Sequence, residues 1–265
     1  MDRISSRQNA VVKRFRALAR SRVADDVLLE GAHLVDEALT SGVTLAMAAF
    51  SESGAGGALA PLVARAERSG CPVAIVTDAV FPALSPVTHP TGAVAIARVP
   101  RATVEIVLTR APQLVLVVDA VQDPGNVGAI IRAAEACGAT GVIVGSGSAD
   151  PFGWKALRGS MGSTLRLPVA MTASLDDTLD TVKKAGVQII ATAPRGGTLL
   201  SHSDLRGPVA IILGGEGPGI PESLLAAADQ RVTIPMQPPV ESLNVAVAAA
   251  LVLYEASRQR ADVAV

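Results

Sequence analysis

The sequence predicts an α/β protein with two domains. Short apolar segments alternate along the chain with amphipathic segments of helical period, which is the order of elements in α/β folds. The proline-containing, partly polar stretch 101–112 interrupts this alternation. With 265 residues, 49% of them apolar, the chain can bury a core on each side of that break. We therefore predict domains over 1–100 and 113–265, joined by a linker over 101–112.

The first domain is predicted to be a small α/β unit. The pattern predicts helices over 6–22, 32–40 and 58–69, and strands over 27–30, 43–50, 73–76 and 93–97. Residues 1–22 carry seven Lys and Arg against one acid, Asp2. Such a cluster attracts polyanions, but a solvated charged helix explains it equally well.

The second domain is predicted to be a mostly parallel sheet with helices on both faces. It opens with the continuous apolar run QLVLVVDA, which is typical of a buried parallel strand. Further strands are predicted over 141–144, 187–191, 209–213 and 231–234, and helices over 128–137, 175–184, 221–228 and 242–260.

Several classes of protein are excluded by what the sequence lacks. The longest apolar stretches fall short of the roughly 18 residues that a membrane helix needs. The N-terminus has no secretory signal, and Cys71 and Cys137 have no metal-ligand spacing, so we expect a cytoplasmic protein without a metal. Both cysteines are expected to be buried apolar side chains.

The common catalytic motifs are also missing. There is no phosphate-binding loop of the GxxxxGK type, no HExxH, and no GxGxxG after a strand, which argues against a dinucleotide-dependent oxidoreductase. His33, His89 and His202 are scattered and lack a neighbouring nucleophile, so a hydrolase triad is not expected.

Three glycine- or proline-rich segments each follow a predicted strand, where ligands bind in open α/β sheets. They cover residues 119–138, 213–221 and 234–251. The first could be a plain turn with an Arg132–Glu135 surface pair. The second contains Glu216, which suits a cationic sulfonium better than a phosphate. In the third, Ser242 is the expected N-cap and Asn244 lies in the first helical turn.

Together these segments resemble the motifs of the SpoU (TrmH) family of RNA ribose methyltransferases, across residues 113–258. The stretch KALRGSMGS at 155–163 is similar to a further family segment, which precedes a strand like 165–169. Residues 1–98 resemble the family's substrate-binding domain through ISSRQNAVVKRFRAL, LLEGAHLVDEAL and GAVAIARVP.

The resemblance implies a fold that patterning alone could not reveal. The second domain would be of the SPOUT type, with a trefoil knot whose loops at 213–220 and 234–245 hold S-adenosylmethionine. The first would resemble ribosomal-protein-like RNA-binding folds. The family also implies a homodimer with the active site near the interface, so that Arg132 could act across it.

The resemblance further implies which residues carry the function. The catalytic group would be Asn126, Arg132, Glu216, Ser242 and Asn244. Cofactor contacts would come from Thr192, Ala193, Gly214, Gly217, Ile234, Met236 and Leu243, and RNA contacts from Arg3, Arg7, Lys13, Arg14, Arg158 and Ser160.

The expected activity is therefore methylation of a ribose 2′-hydroxyl in structured RNA. The family's usual scheme makes Arg132 the base, but a guanidinium stays protonated, so we prefer a phosphate clamp and oxyanion stabiliser. Only 2% of the residues are aromatic, which favours folded RNA over stacked single strands, with ribosomal RNA first. The alternatives are a transfer RNA methyltransferase and an inactive RNA-binding scaffold of the same fold.

Overall fold

The computed structural model describes residues 2–20, 25–215, 217 and 219–261. The chain forms two compact units. The first contains residues up to Pro100 together with Phe152–Arg166, and the second contains Arg101–Pro151 and the chain from Leu167 onward. Within the described ranges, no helix is long and apolar enough to cross a membrane.

The first unit is built on a five-stranded mixed sheet. In chain order its strands are β1 (Asp2–Ile4), β2 (Asp26–Glu30), β3 (Thr44–Ser51), β4 (Val73–Val76) and β5 (Ala93–Arg98). The order across the sheet is β1-β4-β3-β5-β2. Strands β1, β4 and β3 run parallel to one another, whereas β5 is antiparallel to both β3 and β2. Strand β1 was not predicted, because three residues are too few to show a period.

Four helices accompany this sheet before the domain break. They are α1 (Ala10–Arg20), α2 (Ala32–Thr40), α3 (Glu52–Ala55) and α4 (Ala60–Arg68). Helix α1 buries Val12 and Phe15 in the core of this unit. The helix predicted over 6–22 thus begins at Ala10, and the Asn9 side chain accepts a hydrogen bond from the Val11 amide there. Residues 21–22 of that prediction lie outside the described residues.

A segment from the middle of the chain completes the first unit. Helix α7 (Trp154–Ser160) packs against β2, and Trp154 packs against the core cluster that contains Phe15. Arg158 lies 3.8 Å from the buried Glu30 carboxylate, and Arg166 pairs with Glu37. The compact unit therefore includes 152–166, which the sequence prediction placed in the second domain.

The second unit is built on a seven-stranded sheet. Its strands are β6 (Leu114–Val118), β7 (Gly141–Gly145), β8 (Val169–Thr172), β9 (Gln188–Thr192), β10 (Thr198–Leu199), β11 (Val209–Leu213) and β12 (Gln230–Thr233). Their order is β10-β12-β9-β11-β6-β7-β8, and every pair is parallel. All five residues of β6 are buried, so both faces of the sheet are covered.

The helices of this unit are α5 (Val104–Val107), α6 (Pro124–Ala136), α8 (Leu175–Lys184), α9 (Glu222–Ala227) and α10 (Val245–Ala261). Helices α5, α8 and α9 contribute Val107, Leu179 and Leu224 to one core cluster. Helices α6 and α10 pack together. Because α5 contacts β7 and β8, residues 101–112 belong to this unit rather than forming a separate linker.

Three predicted element boundaries are wrong. Helix α6 begins at Pro124 instead of 128, because Asp123 accepts a hydrogen bond from the Asn126 amide and a proline fits the first helical turn. Helix α10 begins at Val245 instead of 242. The strand expected over 165–169 is β8 at Val169–Thr172, since residues 163–165 form a 3₁₀ turn.

Candidate active site

A cavity of about 280 Å³ lies at the carboxyl ends of β9, β11 and β12. Parallel strands end at the same edge of a sheet, which brings the loops that follow them together. The lining includes every residue predicted to contact the cofactor: Thr192, Ala193, Gly214, Gly217, Ile234, Met236 and Leu243. It also includes Pro194, Leu213, Gly215, Gly219, Ile220, Val232, Ser242, Val245 and Ala248. Gly215 and Gly219 could have been added from the sequence, because they share a loop with Gly214.

The glycines after β11 are required by close backbone approach. A Cβ on Gly214 would lie 2.6 Å from the Gly219 carbonyl carbon, and a Cβ on Gly215 would overlap the Ala120 carbonyl. Gly215 and Gly219 form an antiparallel bridge, and Gly217 and Gly219 have φ of 124° and 73°. The loop therefore folds back on itself against the end of β6. Glu216, which the sequence placed in the catalytic group, lies outside the described residues.

Two helix N-termini meet beside this loop system. The Asn244 Oδ1 atom accepts hydrogen bonds from the Ala246 and Val247 amides at 3.0 and 3.3 Å, so Asn244 is the N-cap of α10. Its Nδ2 atom donates to the Asn126 Oδ1 at 3.2 Å. The prediction that Ser242 caps this helix is wrong, because the chain turns helical three residues later. Ser242 instead lies exposed on the cavity lining.

Arg132 is not part of the cavity lining. It is an exposed residue of α6, and its side chain forms no hydrogen bond or ion pair within the described part of the chain. Six residues separate it from Asn126, which corresponds to about 9 Å along the helix axis and roughly 240° around it. The structure thus brings Asn126, Asn244 and Ser242 to the cavity region and places Arg132 on a different face of α6.

The cavity is chemically suited to an adenosyl group. None of its described lining residues carries a charge, and the apolar side chains of Ile220, Val232, Ile234, Met236 and Leu243 supply surfaces for a flat ring. The Thr192 hydroxyl already donates to the Ile212 carbonyl at 2.9 Å. The Ala193 amide already donates to the Val232 carbonyl at 2.8 Å, so polar ligand atoms would bind other backbone groups of the glycine loop and of 192–194. The donor set therefore fits an uncharged heterocycle with a polar tail.

Asp119 is a titratable group near this loop system that the sequence did not single out as a site residue. It is the first residue after β6, and its amide donates to the Leu213 carbonyl at 2.9 Å. Burial raises the pKa of its carboxyl, Asp176 raises it further, and the Ala120 amide opposes the shift. Asp119 therefore connects the ends of β6 and β11 through its backbone.

The residues predicted to contact RNA all lie in the first unit, but in different settings. Arg3 pairs with Glu52 at 2.6 Å and Arg14 with Asp26 at 3.0 Å, whereas Lys13 has no ion pair among the described residues. Arg7 donates to the Ala79 carbonyl.

Ser160 is the exception in that group. It is fully buried, and its hydroxyl donates to the Leu157 carbonyl at 2.9 Å. The expected RNA contact of Ser160 is wrong, because the side chain stabilises the end of α7 inside the unit.

Comparison with protein families gives a match to the SpoU rRNA Methylase family over residues 113–254. The chain is also 34% identical, over 96% of its length and 98% of the relative's, to the 23S rRNA (guanosine(2553)-2′-O)-methyltransferase RlmP of Bacillus subtilis.

Two solved structures resemble the chain along almost all of its length. One is an RNA 2′-O ribose methyltransferase, with a TM-score of 0.81, 35% identity, and coverage of 98% of this chain and 99% of the other. The second is the SpoU methyltransferase AviRb from Streptomyces viridochromogenes in complex with AdoMet, with a TM-score of 0.85, 27% identity, and coverage of 96% and 100%.

Proposed function

The chain belongs to the SpoU family of RNA methylases, and from this premise we propose that it transfers a methyl group from S-adenosylmethionine to a ribose 2′-hydroxyl of ribosomal RNA. The observation that carries the proposal is the cavity at the ends of β9, β11 and β12. It gathers all seven residues that the sequence motifs assigned to the cofactor. Ribosomal RNA is favoured over transfer RNA because relatives named for a defined product act on 23S rRNA.

The cofactor would be held mainly by backbone and apolar contacts. Ile234, Met236 and Leu243 would cover the adenine, while the 192–194 and 214–219 segments would bind its polar atoms. When bound, the cofactor supplies an activated sulfonium methyl group. We further propose that the segments 213–220 and 234–245 are the loops of a trefoil knot, since described residues of both line the same cavity.

The protein's own contribution is alignment and electrostatics. The Asn126–Asn244 hydrogen bond fixes two helix N-termini, whose amide ends favour negative charge nearby. Such a setting would stabilise the negative charge that develops on the 2′-oxygen as its proton passes to solvent water, the methyl–sulfur bond breaks and the neutral thioether leaves. Ser242 and Asn244 would position the nucleotide, and Glu216 is retained as an expected site residue from the sequence motif.

Arg132 is proposed to act as a phosphate clamp and oxyanion stabiliser. A guanidinium offers five N–H donors and no acceptor, so Arg132 would bind anions instead of accepting the 2′-hydroxyl proton. It has no ion pair among the described residues, which leaves it available for RNA.

A homodimer would explain how Arg132 reaches an active site. Arg132 does not line the cavity of its own chain, but its helix α6 packs on α10, which exposes Val247, Leu251 and Tyr254 at helical spacing. Tyr254 is 65% exposed. Covering this apolar stripe with the same stripe of a second copy would place Arg132 near the partner's site.

We also expect the protein to work in the cytoplasm, where its RNA substrate is found.

The proposal is tested by methyl transfer to RNA. Full-length protein, radiolabelled S-adenosylmethionine and unmodified 23S ribosomal RNA transcribed in vitro should yield label in RNA that resists alkaline cleavage at one position. Transfer RNA offered in parallel should remain unlabelled. Labelling of transfer RNA alone would contradict the substrate class, and binding of RNA without any label would indicate an inactive scaffold.

A further inference from the structure

The first unit contains a cavity of its own, with a volume of about 450 Å³, between α1 and the turn at residues 81–86. The side chains that matter for its chemistry are Arg7, Arg16 and Arg20 on one side and Pro82, Ser85 and Pro86 on the other. No acidic side chain contributes to the lining. We call this cavity the arginine cleft.

The three arginines are directed to one place by local structure. Arg16 and Arg20 are four residues apart on α1, so they occupy the same face one turn apart. Arg7 precedes the helix, and its Nη2 atom donates to the Ala79 carbonyl at 3.4 Å, just before the turn that forms the opposite wall. Like charges at this spacing repel each other, so the isolated helix gains nothing from them.

Other arginines of the same unit are neutralised by acids. Arg3, Arg14, Arg65, Arg98, Arg158 and Arg166 each form an ion pair with Asp or Glu. Arg7, Arg16 and Arg20 form none among the described residues. The cleft therefore gathers three unneutralised arginines, whereas Lys13 of α1, also without an ion pair among the described residues, lies outside its lining.

Hydrogen bonds of Ser85 fix the turn that forms the opposite wall of the cleft. The Ser85 hydroxyl accepts a hydrogen bond from the Val87 amide and donates to the Glu30 carboxylate at 3.3 Å. Glu30 is only 4% exposed and lies 3.8 Å from Arg158. With Pro82 and Pro86 fixing the backbone on either side, the wall has a defined shape before any ligand arrives.

We propose that the arginine cleft binds the phosphate backbone of the substrate RNA, and this rests on the function proposed above. Arginine forks match phosphate oxygens in paired hydrogen bonds, and three uncompensated arginines provide a concentrated anion site. The lining has no aromatic side chain on which a base could stack, so the contact is to backbone rather than sequence.

The test measures affinity for RNA as a function of salt with the full-length chain. The probe is 23S ribosomal RNA transcribed in vitro, retained with protein on filters between about 50 and 200 mM salt. The test variant carries Arg16→Gln and Arg20→Gln. The matched control carries Arg65→Gln and Arg98→Gln, which removes the same charge from two arginines of the first unit that have the acidic partners Asp36 and Asp26. Each protein is also titrated with S-adenosylmethionine.

The cleft variant should bind the RNA roughly tenfold or more weakly, and the slope of log affinity against log salt should fall by about 2, since each phosphate contact contributes about 0.9. Its S-adenosylmethionine affinity should be unchanged, and the control should stay within about threefold of the wild type. Equal weakening of variant and control would overturn the proposal, because general surface charge would then suffice. Unchanged binding by the cleft variant would overturn it too, and would direct attention to an acidic protein partner.

The two proposals fail in distinguishable ways. A wild-type protein that binds S-adenosylmethionine but not the RNA would reject the cleft and leave the cofactor site standing. A protein that binds RNA through Arg16 and Arg20 but never binds the cofactor would reject the methyltransferase function and leave the cleft standing.

Discussion

Each unit of this protein contains a cavity, and the two cavities are built by different means. In the second unit, loops that follow parallel strands meet at one sheet edge, and close backbone packing of Gly214 and Gly215 shapes an uncharged lining. In the first unit, a helix and a proline-bounded turn face each other and present Arg16 and Arg20. We expect the cavity of the second unit to select a ligand by its shape and the arginine cleft to select one by its charge.

This difference predicts where substitutions will act. A site lined by closely packed backbone should lose its ligand affinity when a side chain is added to it, and that affinity should depend little on salt. A site made of arginine side chains should tolerate small changes of shape, and its affinity for RNA should fall as the salt concentration rises. We expect catalysis to require both, because we propose that the cofactor binds in the second unit and that much of the RNA contacts the first.

The largest effect is expected at Arg132 of the second unit. Arg132→Ala should lower the single-turnover rate of methyl transfer by about 10²- to 10³-fold, the cost of losing one donor to a developing oxyanion. Cofactor affinity should be unchanged, because Arg132 does not line the cavity. Arg132→Lys should recover part of the rate, since the charge is kept while the paired geometry is lost.

Arg68 of the first unit serves as the matched control for this experiment. It is also exposed and without an ion pair among the described residues, but it lies outside both cavities. Arg68→Ala should keep the wild-type rate. An Arg132→Ala protein as active as the wild type would show that the second unit does not use this guanidinium.

A smaller effect distinguishes two asparagines that cap helices in the two units. Asn9 accepts from the Val11 amide before α1, and Asn244 accepts from two amides at the start of α10. Replacing either with Ala should lower the free energy of unfolding by about 1 kcal/mol. Only Asn244→Ala should also reduce methyl transfer, because Asn244 additionally donates to Asn126.

Thermal unfolding and initial rates measured on the same preparations decide this point. If Asn9→Ala lowered the rate as much as Asn244→Ala did, the loss would follow from reduced stability in general, and the Asn126 contact would have no separate role.

The smallest effect is in the pH dependence of stability. Hydrogen bonds from Arg258 and Gln259 lower the pKa of Glu255 to about 2, so its stabilisation is present above its unfolded pKa of about 4.3 and is lost as pH falls toward 2. Burial raises the pKa of Glu30 against the opposing charge of Arg158. Its contribution is therefore full below the unfolded pKa and is lost as pH rises through the folded value.

Thermal midpoints of Glu255→Gln and Glu30→Gln between about pH 2 and pH 7, on both sides of the unfolded carboxyl pKa of about 4.3, measure both signs. The deficit of Glu255→Gln should shrink with acid, and Glu30→Gln should gain on the wild type as pH rises. Differences that stay constant with pH would contradict both assignments.

Much of the candidate site could be predicted from the sequence, because its residues lie in short motifs after predicted strands. The seven residues assigned to the cofactor by the family resemblance fall in this class, whereas the start of α6 does not, because the helix begins at Pro124 behind the Asp123 cap. The role of Asn244 as helix cap could not be predicted, since Ser242 is an equally good capping residue and only the path of the chain decides between them.

Contacts between distant parts of the chain were beyond the sequence patterns. The packing of α7 on β2 and the burial of Ser160 depend on a segment that returns to the first unit from between β7 and β8. The approach of Gly215 to Ala120 links residues far apart in sequence. In the sequence, the arginine cleft was visible only as an excess of basic residues. The fold decides that Arg14 forms an ion pair whereas Arg16 lines the cleft.

The most direct test of the account is calorimetric titration of the full-length protein with S-adenosylmethionine, for the wild type, Gly214→Val and Gly207→Ala. A Cβ at Gly207 meets no atom within 4 Å, whereas at Gly214 it would press on the backbone of Gly219 and Ile220. The account predicts saturable binding by the wild type and Gly207→Ala, and none by a folded Gly214→Val protein. Wild-type binding that survives unchanged in Gly214→Val, or no binding by the folded wild type, would contradict the assignment of this cavity to the cofactor.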